Sequence, residues 1–538
     1  MAPTSAEGRE AEGREAAAAP TSPEARRAGQ PLSGRVAYGL AALSGLLYAL
    51  ACPGFDAWPL ALVAQVPLIL ALRGQTPKRA TGLGWVAGLV MCVVGFYWLR
   101  ELLITFAHLP VPLPSLGMVV VAAYQAGRMA LVGLVFGLAT RRGWPPLPVF
   151  AAAFISAELV YPELFPWYYA GCVHNALPLL QLAEYGGVFL VGALLLAPNL
   201  AIAAVLQSWL DRKAEDRPPL SQRLVGAGLL APILLGGWGL FRIGQIRGQQ
   251  EEAKSVRVAL IQPNMPLVDR KGSLEKHQQM TAEARKKRPE LVIWNEGTVL
   301  INIKTDRYED EVQARIAKDL KVPAILGLAI RTPNPPGSYF ARTVTTSAVL
   351  TDADGAVQGR YDKNYLLMFG EYLPFGDTFP SLYEISPNST RLTPGTSLAP
   401  LHFGEHRLST TICYEDILPA YVNAMMRTED PDLLVNLTND VWFGDTLEPA
   451  QHFALAALRT VEQRRYLVRS TNSGYSGIVD ATGKVVERGG TFATEIIHGT
   501  ARYMTGSTLY RRIGNAPWYL LALVTLALCG VRRPGSRA

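Results

Sequence analysis

The chain has 538 residues, 49% of them hydrophobic and only 18% charged, with a mean hydropathy of +0.15. Soluble globular proteins carry about 25% charged residues, and disordered chains hold far less apolar material, so neither class describes the whole chain. The net charge of +7 is not accompanied by a basic patch with interleaved aromatics or a nucleic-acid motif, which argues against nucleic acid as a partner.

In chain order, residues 1–34 carry the tandem AEGRE-AEGRE among Ala, Pro and Ser and read as a disordered tail. The tail lacks the apolar core and cleavage site of a removable signal peptide, so the first apolar stretch is expected to act as an uncleaved anchor. A spanning helix needs about 20 mostly apolar residues. Eight stretches qualify, some of them marginally: 36–52, 57–72, 80–99, 115–140, 146–161, 178–209, 224–241 and 515–531. Short cytoplasmic loops are enriched in Lys and Arg. Here Arg73, Lys78 and Arg79 follow the second stretch, and Arg141 and Arg142 the fourth. Arg212, Lys213, Arg217 and Arg223 follow the sixth, and Arg532, Arg533 and Arg537 the last. The loops after the first and fifth hold no Lys or Arg, and the loop after the third holds only Arg100. This alternation predicts eight spans with both termini cytoplasmic, and places residues 245–510 on the outer face. Three charges fall inside the apolar stretches, Arg128, Glu158 and Glu184. They are expected to lie near an interface or to be paired within the bundle, outside the functional site.

Residues 245–510 alternate strand-like and helix-like runs. Ser255–Gln262 alternates apolar and polar residues as a strand does. A helix is predicted around 273–287, a short strand at Leu291–Trp294, a helix over Asp306–Leu320 and a strand over Val322–Ile330. Thr343–Leu350 and Ala356–Tyr361 flank the turn signal Asp354-Gly355. Arg407–Cys413 reads as a strand running into a helix at about 414–427, followed by a strand at Leu433–Leu437 and a helix over Pro449–Arg464. Ser476–Val479 and Lys484–Glu487 flank Thr482-Gly483. The sum is a mixed α/β domain.

Of the five cysteines, Cys52, Cys92, Cys172 and Cys529 lie in or beside apolar stretches, and only Cys413 lies in the insert. An unpaired thiol in an oxidising compartment is buried or used. At a strand end facing a helix N-terminus, Cys413 is expected to feel a field that stabilises thiolate. A thiolate nucleophile needs a proton acceptor and a partner for the developing oxyanion. The insert's histidines, His277, His402, His406, His452 and His498, have no motif-like context, and His402 and His406 are expected to lie far from Cys413. Two other segments stand out. LVIWNEG puts Glu296 at the end of an apolar strand, and RYDKNYLLMFGEYLPFG puts Lys363 and Glu371 in an unusually apolar loop. All three elements fall at strand ends, where α/β folds place their sites.

These residues resemble the nitrilase, or carbon–nitrogen hydrolase, superfamily, and within it the bacterial apolipoprotein N-acyltransferase family. The matching pieces are VALIQPNMP, LVIWNEG, YDKNYLLMFGEYLPFG, TICYEDILP, LVNLTNDVWFGD and QHFALAALRTVEQRRYLVRSTNSG. The resemblance implies an α/β/β/α sandwich inserted between the seventh and eighth of eight membrane helices. It divides the chain into a cytoplasmic tail (1–34), a seven-span domain (35–243), an extracytoplasmic nitrilase-like catalytic domain (244–510), and an eighth helix with a cytoplasmic C-terminus (511–538). It places the protein in the bacterial inner membrane. It implies a Glu296–Lys363–Cys413 triad supported by Glu371, Tyr414 and Glu415, with no metal and no cofactor. Two departures stand out: Asn295 occupies the position where the family usually has Pro, and Asp269-Arg270-Lys271 stands where an aromatic residue is common.

The implied reaction is a two-step acyl transfer from a phospholipid, through a thioester on Cys413, to the α-amino group of an S-diacylglyceryl cysteine at a lipoprotein N-terminus. Glu296 would be the general base and Lys363 the oxyanion partner. The apolar 365–385 segment is expected to be a lid toward the bilayer. Rival readings are a membrane-tethered amidase acting on a small soluble amide, and a transporter or receptor with a catalytically dead sensor domain.

Overall fold

The structure is a computed structural model that describes residues 28–107, 112–217, 219–266, 272–303, 307–334, 336–338, 340–385 and 391–535. Most of the tail, the stretch Asp269-Arg270-Lys271, Asp306 and Arg537 lie outside the described residues.

Each of the eight apolar stretches contains helix. Four helices are long and apolar enough to cross a membrane: Gly34–Ala51, Leu113–Arg141, Ala183–Leu210 and Gln222–Glu252. Pro77–Gly95 and Leu99–Thr105 make a fifth if that pair, bent by 59°, is one span. Trp58–Leu72, Pro146–Val160 and Ala516–Gly530 are apolar but shorter. The basic connections gather at one end of the bundle. Arg73 pairs with Asp211, Gly29 N donates to Asp211 at 3.3 Å, and Arg533 N donates to the Arg142 carbonyl at 3.0 Å.

The charges inside the apolar stretches are partnered, as their cost in a low-dielectric bundle demands. Arg128 meets Glu163 at 3.2 Å and the Tyr48 hydroxyl at 3.3 Å. Glu158 accepts from Tyr169 N at 2.6 Å, and Glu184 sits between Arg242 at 2.7 Å and Arg464 at 2.8 Å.

The insert contains thirteen strands among the described residues. They are β1 (Ser255–Gln262), β2 (Leu291–Ile293), β3 (Val299–Asn302), β4 (Ala324–Pro333), β5 (Arg342–Thr351), β6 (Val357–Asp362), β7 (Leu401–Phe403), β8 (His406–Ile412), β9 (Leu433–Thr438), β10 (Leu467–Thr471), β11 (Gly477–Val479), β12 (Val485–Arg488) and β13 (Glu495–Arg502). One sheet runs β13-β1-β2-β4-β5-β6, with β3 also paired to β4; the other runs β12-β11-β10-β9-β8-β7. The central strands of each are parallel and the flanking ones antiparallel.

The two sheets pack face to face through Val258, Leu260, Ile293 and Leu350 on one side and Ile412, Val435, Leu437 and Val468 on the other. Burying one such side chain stabilises by roughly 1.5–3 kcal/mol. The outer face of the first sheet is covered by helix Ser273–Ala284 and by Val312 and Ile316, that of the second by helices Pro419–Met426 and Glu448–Gln463. The layering is therefore α/β/β/α. It explains why β1 alternates in burial only at its start: the last five residues are buried, with a helix on one face and the other sheet on the second.

Two elements differ from their sequence reading: the helix expected over Asp306–Leu320 is a short α-helix, Tyr308–Val312, continued by a π-helical turn, Gln313–Ala317, and the second follows Cys413. Instead of a helix over 414–427, a five-residue 3₁₀ turn (Cys413–Ile417) is followed by helix Pro419–Met426. Leu418 adopts extended backbone ahead of Pro419, as the residue before proline prefers.

Candidate active site

Three strand ends converge. Glu296 follows β2, and its backbone N–H donates to the Thr438 carbonyl of the other sheet at 3.4 Å. Gly327 lies so close beneath this turn that a Cβ there would fall 1.9 Å from the Asn295 carbonyl oxygen. Lys363 follows β6, its backbone N–H bonded to the Thr346 carbonyl at 2.9 Å. Cys413 follows β8 with φ of 54°, a left-handed conformation that costs a non-glycine residue about 1–3 kcal/mol and persists only where neighbours enforce it. Asn436 Nδ2 donates to the Cys413 carbonyl at 3.2 Å.

Glu415 joins the strand ends that carry Lys363 and Cys413. One carboxylate oxygen accepts from Asn364 N at 2.7 Å and Tyr365 N at 2.9 Å; the other accepts from Ile412 N at 2.8 Å and the Tyr361 hydroxyl at 2.7 Å.

Lys363 Nζ donates to Glu296 at 3.1 Å and to Glu371 at 2.6 Å, and Glu371 also accepts from Leu367 N at 2.8 Å. Burial acts to lower the Lys363 pKa, but Glu296 and Glu371 outweigh it and hold the ammonium well above the ordinary lysine value. Burial raises Glu296 above the usual carboxylate range, with Lys363 opposing and Glu371 reinforcing the shift, and the Cys413 thiol hydrogen-bonds to the same carboxylate. Burial and then Glu296 push the Cys413 thiol well up, against Lys363. The resting sulfur is therefore a thiol. The expected thiolate stabilised by a helix N-terminus is replaced by a short 3₁₀ turn and a carboxylate within hydrogen-bonding reach of the proton.

This arrangement fixes the sign of the acid limb. A base of raised pKa is ionised only above that pKa, so kcat/KM is expected to fall as pH drops through it. The inflection should lie above the ordinary glutamate value of about 4.3. A pH profile of acylation with an uncharged ester checks this, and an inflection at or below 4.3 contradicts it.

Asn295, in the position where proline is usual, does not leave the turn slack. Its Oδ1 lies 2.8 Å from His277 Nε2, its Nδ2 donates to the Glu296 carbonyl at 3.0 Å, and its own carbonyl accepts from Thr298 Oγ1 at 2.9 Å. Burial lowers the His277 pKa to about 4, so the ring is neutral.

Behind Cys413 lies a buried cluster that sequence reasoning missed. His452 bonds Asp440 at 3.0 Å and Asp416 at 3.1 Å, and Glu448 lies 3.6 Å away. Arg469 pairs with Asp416, with Asp440 at 3.4 Å, and with Asn436 Oδ1 at 3.0 Å. Burial and Arg469 act to lower the His452 pKa, but Asp416 and Asp440 raise it to about 10. Asp440, Glu448 and His452 bring ligand atoms within 4.8 Å of one another, a spacing a metal could use, but the Arg469 guanidinium already serves as their counter-cation. The i, i+4 pair Glu448/His452 on one helix was the available signal. His406 begins β8, seven residues before Cys413, and His402 pairs with Glu429 at 3.1 Å; neither belongs to the site.

Glu296, Lys363, Glu371 and Cys413 open onto a cleft of about 490 Å³. One wall comes from the helical part: Leu99, Leu102, Leu103, Val121 and Phe165. The other comes from Leu367, Met368 and Phe369 of the apolar loop. That loop exposes Tyr365, Phe369, Phe375 and Phe379. A smaller cavity of about 50 Å³ behind Cys413 is lined by Phe96, Trp98, Trp167 and Phe443 together with Glu448 and His452. Tyr414 bridges the two parts by donating to the Leu164 carbonyl at 3.0 Å, with Tyr365 stacked on its ring.

Two family models match the chain: Apolipoprotein N-acyltransferase N-terminal domain over residues 44–201, and Carbon-nitrogen hydrolase over residues 257–504. The chain is 30% identical over 495 residues to an apolipoprotein N-acyltransferase of Geobacter metallireducens, covering 89% of this chain and 92% of that one. It is 30% identical over 523 residues to the protein of the same name from Azotobacter vinelandii, covering 93% and 96%. Among solved structures, Saccharomyces cerevisiae Nit3, a member of branch 10 of the nitrilase superfamily, matches at 18% identity and a TM-score of 0.36, over 46% of this chain and 90% of that one.

Proposed function

Since the chain belongs to the apolipoprotein N-acyltransferase family, we propose that it moves an acyl chain from a phospholipid, through a thioester on Cys413, to the α-amino group of an S-diacylglyceryl cysteine at a lipoprotein N-terminus. The observation that carries this reading is the composition of the cleft. A hydrogen-bonded Glu–Lys–Cys set faces a wall made of leucines from the membrane-type helices, a setting for lipid esters rather than small soluble amides.

In the first half-reaction Glu296 takes the thiol proton as the sulfur attacks the ester carbonyl. The oxyanion forms beside the Lys363 ammonium, which stabilises it without reorganisation. Collapse breaks the acyl C–O bond, and the leaving alkoxide takes the proton back from Glu296, giving a lysophospholipid. In the second, Glu296 removes a proton from the attacking amine, the C–S bond breaks, and the thiolate is reprotonated. Glu371 orients Lys363, while Glu415 and Tyr414 hold the strand ends and the junction with the helices. Aromatic rings around the sulfur keep water from the thioester.

The same reading divides the chain into the tail (1–34), seven spans (35–243), an outward-facing catalytic domain (244–510) and an eighth span (511–538). Both termini are then cytoplasmic and the protein sits in the bacterial inner membrane. The alternation of basic loops supports this, as does the meeting of those loops at one end of the bundle.

The test is intact-mass and peptide mass spectrometry of the purified full-length protein given phospholipid alone. An acyl adduct on Cys413 that disappears when a diacylglyceryl peptide is added is the expected result. No adduct, together with hydrolysis of soluble amides, would establish a tethered amidase instead.

A further inference from the structure

Four charged side chains line the cleft: Glu296, Lys363, Glu371 and Arg331. The first three are bonded to one another. Arg331 is half-buried and, among the described residues, has no ion-pair partner. Its neighbours in the cleft are Leu300, Ala329 and Val344. A guanidinium without a counter-ion among apolar side chains leaves its donors available to an anion. Its planar fork of donors suits a phosphate, which it grips through two parallel hydrogen bonds.

The position is set by strand register. Ala329 pairs with Thr346, whose carbonyl holds the Lys363 backbone, and Arg331 pairs with Val344, two residues further along the same face. Two residues of strand span about 7 Å. In a glycerophospholipid five or six single bonds separate the ester carbonyl carbon from phosphorus, so the phosphate lies a few bond lengths along the same cleft from the reacting carbonyl.

We infer that Arg331 is the residue that recognises the phosphodiester of the acyl donor, placing the donor's ester carbonyl at Cys413 and Lys363. The inference rests on the acyl-transfer reading and adds to it: the donor is selected by its phosphate as well as by its chain. Arg331 acts in the donor half-reaction only, since the diacylglyceryl acceptor carries no phosphate on its lipid.

The experiment measures acyl-adduct formation on Cys413, without acceptor, for the full-length wild type, Arg331→Ala and Arg331→Lys in detergent. The donors are a dipalmitoyl glycerophospholipid and p-nitrophenyl palmitate, which has an ester but no phosphate. Arg331→Ala is expected to lower the second-order rate constant of acylation by the phospholipid about 10- to 100-fold, mostly by raising the donor concentration at half-saturation. It should leave the phosphate-free ester within about twofold, and Arg331→Lys should recover part of the loss. Equal losses with both donors, or no loss with the phospholipid, would each overturn the inference. Failure of the wild type to form an adduct with either donor would instead overturn the acyl-transfer reading on which it stands.

Discussion

Changing Cys413 to alanine is expected to eliminate the acyl adduct and lower transfer at least about 10⁴-fold, and adding Glu296→Gln to that variant is expected to cost nothing further. Alone, Glu296→Gln should lower transfer by about 10²–10⁴-fold, the range for loss of a positioned general base. The two side chains act on one proton. The thiol is pushed well above its ordinary pKa by burial and by Glu296, so little thiolate exists until the carboxylate removes that proton. Once the sulfur is gone, the base has nothing to activate. Transfer of a labelled acyl chain to a diacylglyceryl peptide, measured for both single variants and the double, checks this. An additional loss in the double variant, or activity in Cys413→Ala above roughly a hundredth of wild type, would sink the idea that these residues form one catalytic unit.

The second large effect is on stability. Arg469→Met is expected to destabilise the α/β domain by about 3–5 kcal/mol, the usual result of removing one partner from a buried charged set. Arg469 is fully buried and pairs with Asp416 and Asp440. Without it, those carboxylates and Glu448 are left facing the single imidazolium of His452. Asn436 also loses the partner of its Oδ1, and with it the orientation that lets Nδ2 hold the Cys413 carbonyl. At about 2–4 °C per kcal/mol for a domain of this size, the unfolding midpoint of the full-length protein in detergent should drop by about 6–20 °C. Neutralising a partner in the same chain, as in Arg469→Met with Asp440→Asn, should restore part of the loss. A fall of less than about 2 °C in the single variant would show the cluster to be solvated rather than buried.

The sequence and the structure agree best where a pattern is long or a turn is chemically marked. The eight apolar stretches all contain helix, and the Asp354-Gly355 turn joins β5 and β6 in an antiparallel pair. Glu296 was legible because it ends an apolar strand, Cys413 because a strand-like run leads into it, and Lys363 because it opens an unusually apolar loop. Short or polar elements were not. β3 and β7 have four and three residues, too few to show a period. β10 reads LVRST and looks amphipathic, yet all five residues are buried because Arg469 is neutralised inside the protein. His452 escaped notice for the same reason: its partners Asp416 and Asp440 lie 36 and 12 residues away and meet it only once the sheet has folded. The role of Glu415, which ties two loops and a strand end together, was available only as a resemblance until its four hydrogen bonds were seen.

The shared wall of the cleft bears on how such a chain can change. Its floor is made by the α/β part and one side by Leu99, Leu102, Leu103 and Val121 of the helical part, while Gln451 is clamped between Trp98 and the Gly95 carbonyl. The two parts match separate family models, but neither lines the whole cleft. A crossover between two relatives near residue 245 would join a catalytic floor to a foreign roof. Inheritance must therefore treat the two modules as one, and substitutions that reshape the roof have to be answered by the floor.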